Sequence, residues 1–304
     1  MVYVNGGAEM TQNSQQVPWT DEQWARVNQV IQEEAKRARV AATFLPLFGP
    51  LPPSADFVRV DTITYPKLPD GRERLSIEDT TTIKLPTLQV KVYLRGAQMA
   101  DPEMTSALAM FRRAANVLAR LEDAVVFNGQ PETSQGPKAP LSPPQTIWEI
   151  LGGQASRGLL ARGKGPETVV RADSESLVRG VSRSIGDLES DGHFGPFAVV
   201  LGQDLFLAVQ TPNKDSLVLP QDRIIPFLGG GSLLRSSTLP PDEGVVVALG
   251  GAPVELVVAT DVSLNFLQVT TDPMFVFRVY EKMVLRIKEK DAIMALVPAS
   301  KSTR

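Results

Sequence analysis

The chain has 304 residues, a formal charge of −3 with acids and bases interspersed, one histidine and no cysteine. This composition excludes disulfides, thiolate metal sites, cysteine nucleophiles and multi-histidine clusters, and it carries no basic footprint for nucleic acid or an anionic membrane. The most apolar run, Val245 to Thr260, holds two glycines, a proline and Glu255, so no membrane span is expected, and an N-terminus without a basic region followed by an apolar one predicts no signal peptide.

Residues 1–17 are polar and rich in Gln and Asn, and read as a disordered arm. Thr20 and Gln23 have the spacing of a capping box, with Trp19 and Trp24 placed as a hydrophobic staple. Trp24, Val27, Ile31, Ala35 and Ala38 then form one apolar face, opposed by Glu33, Lys36, Arg37 and Arg39; this first helix lies on something and ends before Pro46, Pro50, Pro52 and Pro53.

From Phe57 the period becomes two. Phe57–Tyr65 and Arg74–Leu85 read as strands around a Leu68-Pro69-Asp70-Gly71 turn, rich in Thr and charge. A two-stranded ribbon is marginal in water, so this hairpin needs a neighbour. Leu88, Val90, Val92 and Leu94 alternate with Gln89, Lys91, Tyr93 and Arg95 in a half-buried strand.

The longest consistent element follows. Asp101 as cap and Pro102 at the first position predict a helix from Asp101 to Asn128, stopped by Gly129. Met104, Leu108, Phe111, Ala115, Leu118, Leu121 and Val125 make its continuous stripe, over a length of about 40 Å. Taken alone it is an ordinary core helix of a mixed domain.

Gln130 to Gln145 holds five prolines and reads as a surface excursion. Thr146 and Glu149 suggest a short helix through Trp148. Asp173 opens a helix with the face Leu177, Val181, Ile185 and Leu188, after which His193-Phe194-Gly195-Pro196 turns into the buried strand Phe197–Leu201. Strands at Gly244–Leu249, Val254–Ala259, Val262–Val269 and Met274–Ile287 precede a closing stretch, Ala292–Val297. Strands at both ends flank the middle, as for a domain inserted into a discontinuous one.

Nothing here composes an active site. Leu228-Gly229-Gly230-Gly231-Ser232 lacks the GK[ST] of a phosphate loop and is a turn. His193 has Asp191 nearby but no nucleophile and is a loop histidine. Adjacent on one helix, Glu122 and Asp123 diverge by about 100° and are salt-bridge formers rather than a catalytic pair. Arg112-Arg113 and Lys36-Arg37-Ala38-Arg39 are solvated or interface faces.

Leu121-Glu122-Asp123-Ala124-Val125-Val126-Phe127-Asn128-Gly129 resembles the helix end E-D-x-x-I-F-x-G of encapsulins, bacterial nanocompartment shell proteins with the tailed-phage, Hong Kong 97-type major capsid fold. Gly192-His193-Phe194-Gly195-Pro196-Phe197-Ala198-Val199-Val200-Leu201 is similar to that family's G-H-x-G-P-[YF]-A-x-V-L. Gly244 to Leu296 is similar to its closing sheet through Glu255–Ala259, Asp261–Leu264, Phe277-Arg278-Val279, Val284–Lys288 and Asp291-Ala292-Ile293. Trp24 and Phe48-Gly49-Pro50 fall at the family spacing.

The resemblance implies an α+β Hong Kong 97-type capsid fold. After the arm at 1–17 it places an N-terminal helix region at 18–56 and an extended-loop hairpin at 57–87. The peripheral domain comprises 88–157 and 240–304, with its spine helix at 101–128, and the axial domain is 158–239. It implies a cytoplasmic icosahedral shell of many copies, with no catalysis and no cofactor, enclosing an enzyme that docks by a terminal targeting peptide. Val27, Ile31, Ala35, Leu264 and Phe266 are the implied dock residues, and Asn213, Lys214, Asp215 and Ser216 the implied pore loop. Where the family has G-R-basic, two apolar residues and Asp, this chain has Ala41-Ala42-Thr43-Phe44-Leu45-Pro46, without that Arg and Asp. The strand before the spine lacks the family's tryptophan, so no stacked flavin is expected. A phage or prophage major capsid protein packaging DNA is the alternative, though nucleic acid is not expected of so neutral a chain. A third reading, a secreted bacteriocin-like hydrolase, is opposed by the missing signal peptide, cysteine and triad spacing.

Overall fold

The computed structural model describes residues 17–130, 147–160, 165–212 and 218–299. The expected arm (apart from Val17), nearly all of the Pro-rich excursion and the implied pore loop Asn213–Ser216 therefore lie outside the described residues. Val17 itself is buried in the core.

Helix α1 (Asp21–Ala38) starts as its sequence requires: the Thr20 hydroxyl accepts from the Gln23 amide at 3.2 Å, and the Gln23 side chain accepts from the Thr20 amide at 3.0 Å. The staple tryptophans meet edge to face at 5.2 Å, and Trp19 stacks on Phe277 at 5.1 Å. A short helix α2 (Ala41–Phe44) and strand β1 (Leu47–Phe48) follow.

The hairpin comprises two short ladders rather than two long strands. β2 (Phe57–Arg59) pairs with β5 (Thr82–Lys84), and β3 (Thr62–Thr64) with β4 (Ser76–Glu78). They separate where Asp61 turns to φ 54° and where the Glu78 carboxylate takes the amides of Thr80 and Thr81, because local side-chain bonds compete with the ladder. At the base, Val58 and Leu85 pack on Val257, Ala259 and Val284. Farther out, Tyr65, Leu75 and Ile77 are 61%, 71% and 64% exposed.

β6 (Pro86–Arg95) and α3 (Gly96–Met99) lead to the spine, α4 (Thr105–Asn128). The spine starts four residues later than its sequence suggests. Asp101 spends its carboxylate on the amides of Glu103 and Thr105, both at 3.0 Å, and closes a separate turn in which buried Met104 takes φ 54°. Every residue of the expected stripe is buried, each large one contributing about 1.5–3 kcal/mol. The spine stops at Gly129, φ 79°, whose absent side chain leaves room for the carbonyl of Ser156.

After the spine, Trp148 lies in strand β7 (Trp148–Gly152), not in a helix. The period is two: Trp148 and Ile150 stand opposite Val90 and Leu88, while Glu149 turns to the other face and meets Gln89 and Lys91 at 2.8 and 2.9 Å. After β7 the chain returns to the end of the spine, since the amides of Ser156, Leu159 and Leu160 donate to the carbonyls of Gln130, Val126 and Phe127.

The remaining elements are β8 (Glu167–Val170), α5 (Ser174–Ser190), β9 (Phe197–Leu201), α6 (Gln203–Gln210), α7 (Pro220–Ile224), β10 (Leu233–Arg235), β11 (Gly244–Ala248), β12 (Val254–Val269), β13 (Met274–Ile287) and β14 (Ile293–Pro298). The two strands expected at Val254–Ala259 and Val262–Val269 form one, with register shifts between Val258 and Ser263.

Two five-stranded sheets result, β1-β12-β13-β6-β7 and β10-β9-β11-β14-β8. The expected boundary at 240 is thereby corrected: β11 pairs with β9, and β14 with β8, so 244–248 and 293–298 complete the second sheet instead of joining the peripheral one. Their continuous apolar runs fit a sheet covered on both faces. Ala198, Val200, Val245 and Val247 face the main core with the spine, whereas Val199, Leu201, Val246 and Ala248 face α5 and its neighbours.

Candidate functional site

The seam between α1 and β12 is closed by apolar side chains. Val27, Ile31, Ala35 and Phe266 are 0–4% exposed and join the main core, so these four expected dock residues hold α1 to the spine and sheet and offer a ligand no surface. The stripe that makes α1 amphipathic is consumed by tertiary packing. Leu264, the fifth, is half-buried on β12, as are Trp24, Val30 and Ala38 on α1. Gln32 fastens the helix to the sheet edge by donating to the carbonyl of Val262.

At the C-terminal end of α1 a charged cluster is buried. Arg39 reaches Glu122 of the spine at 2.6 Å, Glu281 of β13 at 2.8 Å and Asp261 of β12 at 2.9 Å. Glu122 and Glu281 are 1% and 2% exposed and Asp261 60%, so the cluster opens to solvent chiefly at its Asp261 end. Arg39 stays charged, because its three carboxylate neighbours outweigh burial. Burial raises both glutamates above the ordinary carboxylate range, and for Glu281 the nearby Glu122 adds to the shift. Asp123, one residue along, points elsewhere and accepts from the amides of Val40 and Ala41 at 2.8–3.0 Å, capping α2. Burial and then Glu122 push its carboxyl up to about 8.

Glu122 and Asp123 therefore diverge as their adjacency requires, but only Glu122 forms a salt bridge. Arg39 belongs to no solvated face, being 16% exposed and held by three carboxylates. One signal was visible in sequence: Glu281 occupies an inward position of β13, in step with Phe277 and Val279, where only a partnered charge is tolerated.

The other motifs behave as spacers. Gly229 and Gly230 have φ 58° and 87°, as a turn requires. His193 stands 4.0 Å from Glu289. Described residues hold no group of His, Cys, Asp or Glu arranged for a metal ion, and no described helix is long and apolar enough to cross a membrane. On either side of 213–216 in sequence, Leu207, Val218, Ile225 and Phe227 are each about half exposed.

Comparison with known proteins then bears on this arrangement. A family model described as the encapsulating protein for peroxidase matches residues 10–136 and 145–284. The type 1 encapsulin shell protein EncA of Myxococcus xanthus is 27% identical over 303 residues, covering 94% of this chain and 96% of that one. A diheme-cytochrome-encapsulin shell fusion protein of Kuenenia stuttgartiensis is 24% identical over 292 residues, covering 93% and 75%. Among solved structures, a virus-like particle from Pyrococcus furiosus superposes with a TM-score of 0.67 at 15% identity, over 91% of this chain and all of the other.

Proposed function

Since the chain belongs to the family of encapsulating shell proteins, we propose that its hairpin and second sheet meet neighbouring copies in a closed icosahedral compartment, and that an enzyme is held inside. It is a self-assembling shell protein of the Hong Kong 97-type capsid fold. The single observation that carries the assembly reading is the hairpin. Beyond its base, which packs on β12 and β13, a two-ladder arm with Tyr65, Leu75 and Ile77 more than half exposed has no core of its own, and its outer part gains cover by lying on another molecule.

In this reading the chain performs no chemistry, resides in the cytoplasm and takes up cargo through a terminal peptide of that cargo. The dock is assigned to the seam of α1 and β12, with Leu264, Trp24 and Val30 as its accessible apolar lip. The pore is assigned, from the family resemblance alone, to the positions Asn213–Ser216. Nucleic acid is not the content, because the chain is close to neutral, with 31 basic and 34 acidic residues. Negative-stain microscopy of the purified protein should reveal uniform closed particles; a monomer or small oligomer under all assembly conditions overturns the reading. Mass spectrometry of purified shells should find one enriched enzyme, whereas nuclease-protected DNA would indicate a packaging capsid.

A further inference from the structure

We infer that Glu122 and Glu281 form a proton-keyed latch at the end of α1: the two carboxyls share one proton while α1 is docked, and release of that proton as pH rises loosens α1 from β12. The geometry carries this. Glu122, Glu281 and Asp261 converge on the single cation Arg39, all within 2.9 Å of it. One oxygen of Glu122, Oε1, and one of Glu281, Oε1, are buried with no donor against them, while Glu122 Oε2 meets only Arg39. Glu122 and Glu281, both fully buried, share one guanidinium with the solvated Asp261, and the net negative charge this leaves on the buried pair is costly unless a proton is held there.

The groups facing the pair are Arg39 from the segment after α1, Asp261 from β12 and Asp123 from the next position of the spine. Arg39 cannot release its proton, Asp261 is solvated, and Asp123 is turned to the Val40 and Ala41 amides. The proton assigned to the latch is therefore the one shared by Glu122 and Glu281, which leaves to solvent at the open Asp261 end, while Asp123 is separated from it by the variants below. What remains is a pair of buried anions with one counter-charge. The compliant neighbour is β12 itself, whose register shifts between Val258 and Ser263 bracket Asp261. Gln32 donates to Val262 in the same irregular stretch, so yielding there frees the helix as well.

The sign follows from linkage. The docked state holds a proton that the undocked state, with its glutamates near their usual 4.5, does not. Docking is therefore fully stable below the ordinary glutamate range and weakens as pH rises through it, by at most about tenfold per pH unit, until the pair is fully ionised. That this movement opens the seam to cargo rests on the shell reading above; the latch itself does not.

Hydrogen exchange of assembled particles between about pH 5 and about pH 9, corrected for intrinsic base catalysis, tests it. Protection of α1 and of the Val40 and Ala41 amides should fall by about tenfold or more across that range in the wild type. It should stay level in Glu281→Gln, whose amide donates permanently to Glu122. Level protection in the wild type overturns the latch, and so does a fall in Glu281→Gln as steep as in the wild type, which would make Asp123 the sensor. If Glu281→Gln does not fold, Glu122→Gln is read in the same way. The infrared carbonyl band of a protonated carboxyl, lost with rising pH in the wild type, is the independent check. Should no particles form at any pH, the shell reading fails while the same exchange measurement on the free chain still decides the latch.

Discussion

Arg39 ties the segment after α1 to the spine, to β12 and to β13 through one guanidinium. Removing one partner of a buried ion cluster strands the others, so Arg39→Ala should cost about 3–5 kcal/mol in denaturant unfolding. The deficit should be smaller at low pH, where the raised carboxyls of Glu122 and Glu281 are neutral without Arg39. Arg39→Lys should recover only part, since a single ammonium cannot span three carboxylates as a planar fork does. Glycine positions divide by surroundings. A side chain at Gly129 would lie 2.2 Å from the carbonyl of Ser156 at φ 79°, whereas Gly71, φ 83°, has open space around it. Gly129→Ala should lower stability by at least about 2 kcal/mol and Gly71→Ala by about 1 kcal/mol, both read from thermal melts of the free chain.

Among the elements, α1 was the most legible: Thr20, Gln23 and the two tryptophans wrote its start, and the capping box is present as expected. Thr20→Ala should therefore weaken it by about 1 kcal/mol, visible as faster exchange in its first turn. The spine's stripe and stop were equally plain, but its start was not, because Asp101 can cap either a helix or a turn and buried Met104 decided for the turn. β7 was read as a helix because the spacing of Thr146 and Glu149 imitates a cap. Pairing with β6 and burial of Trp148 outweighed that local signal, as β structure depends on partners distant in sequence. Four of the five implied dock residues are buried in the single chain for a related reason. Periodicity marks an apolar face but not what covers it, and Val27, Ile31 and Ala35 are covered by this chain's own spine and sheet.

At the scale of the whole molecule, the hairpin separates folding from assembly. Leu75→Asp with Ile77→Asp changes side chains that are mostly exposed in the single chain, so its stability should move by no more than about 0.5 kcal/mol. Particles should nevertheless fail to form, as sedimentation velocity would register; intact particles would show that the hairpin tip makes no essential contact. The sequence by itself determined the class of the protein, its amphipathic helices, the buried strand Phe197–Leu201 and the closing strands, because capping, periodicity and turn chemistry are local. It also carried the family signatures around Glu122-Asp123 and Gly192–Leu201. Only the tertiary structure decided that β11 and β14 complete the second sheet, that Glu281 meets Glu122 beneath Arg39, and that most of the α1 stripe is already occupied. Those outcomes join residues as distant as Arg39 and Glu281, 242 positions apart, and long-range pairing is settled by competition among partners that no local pattern encodes.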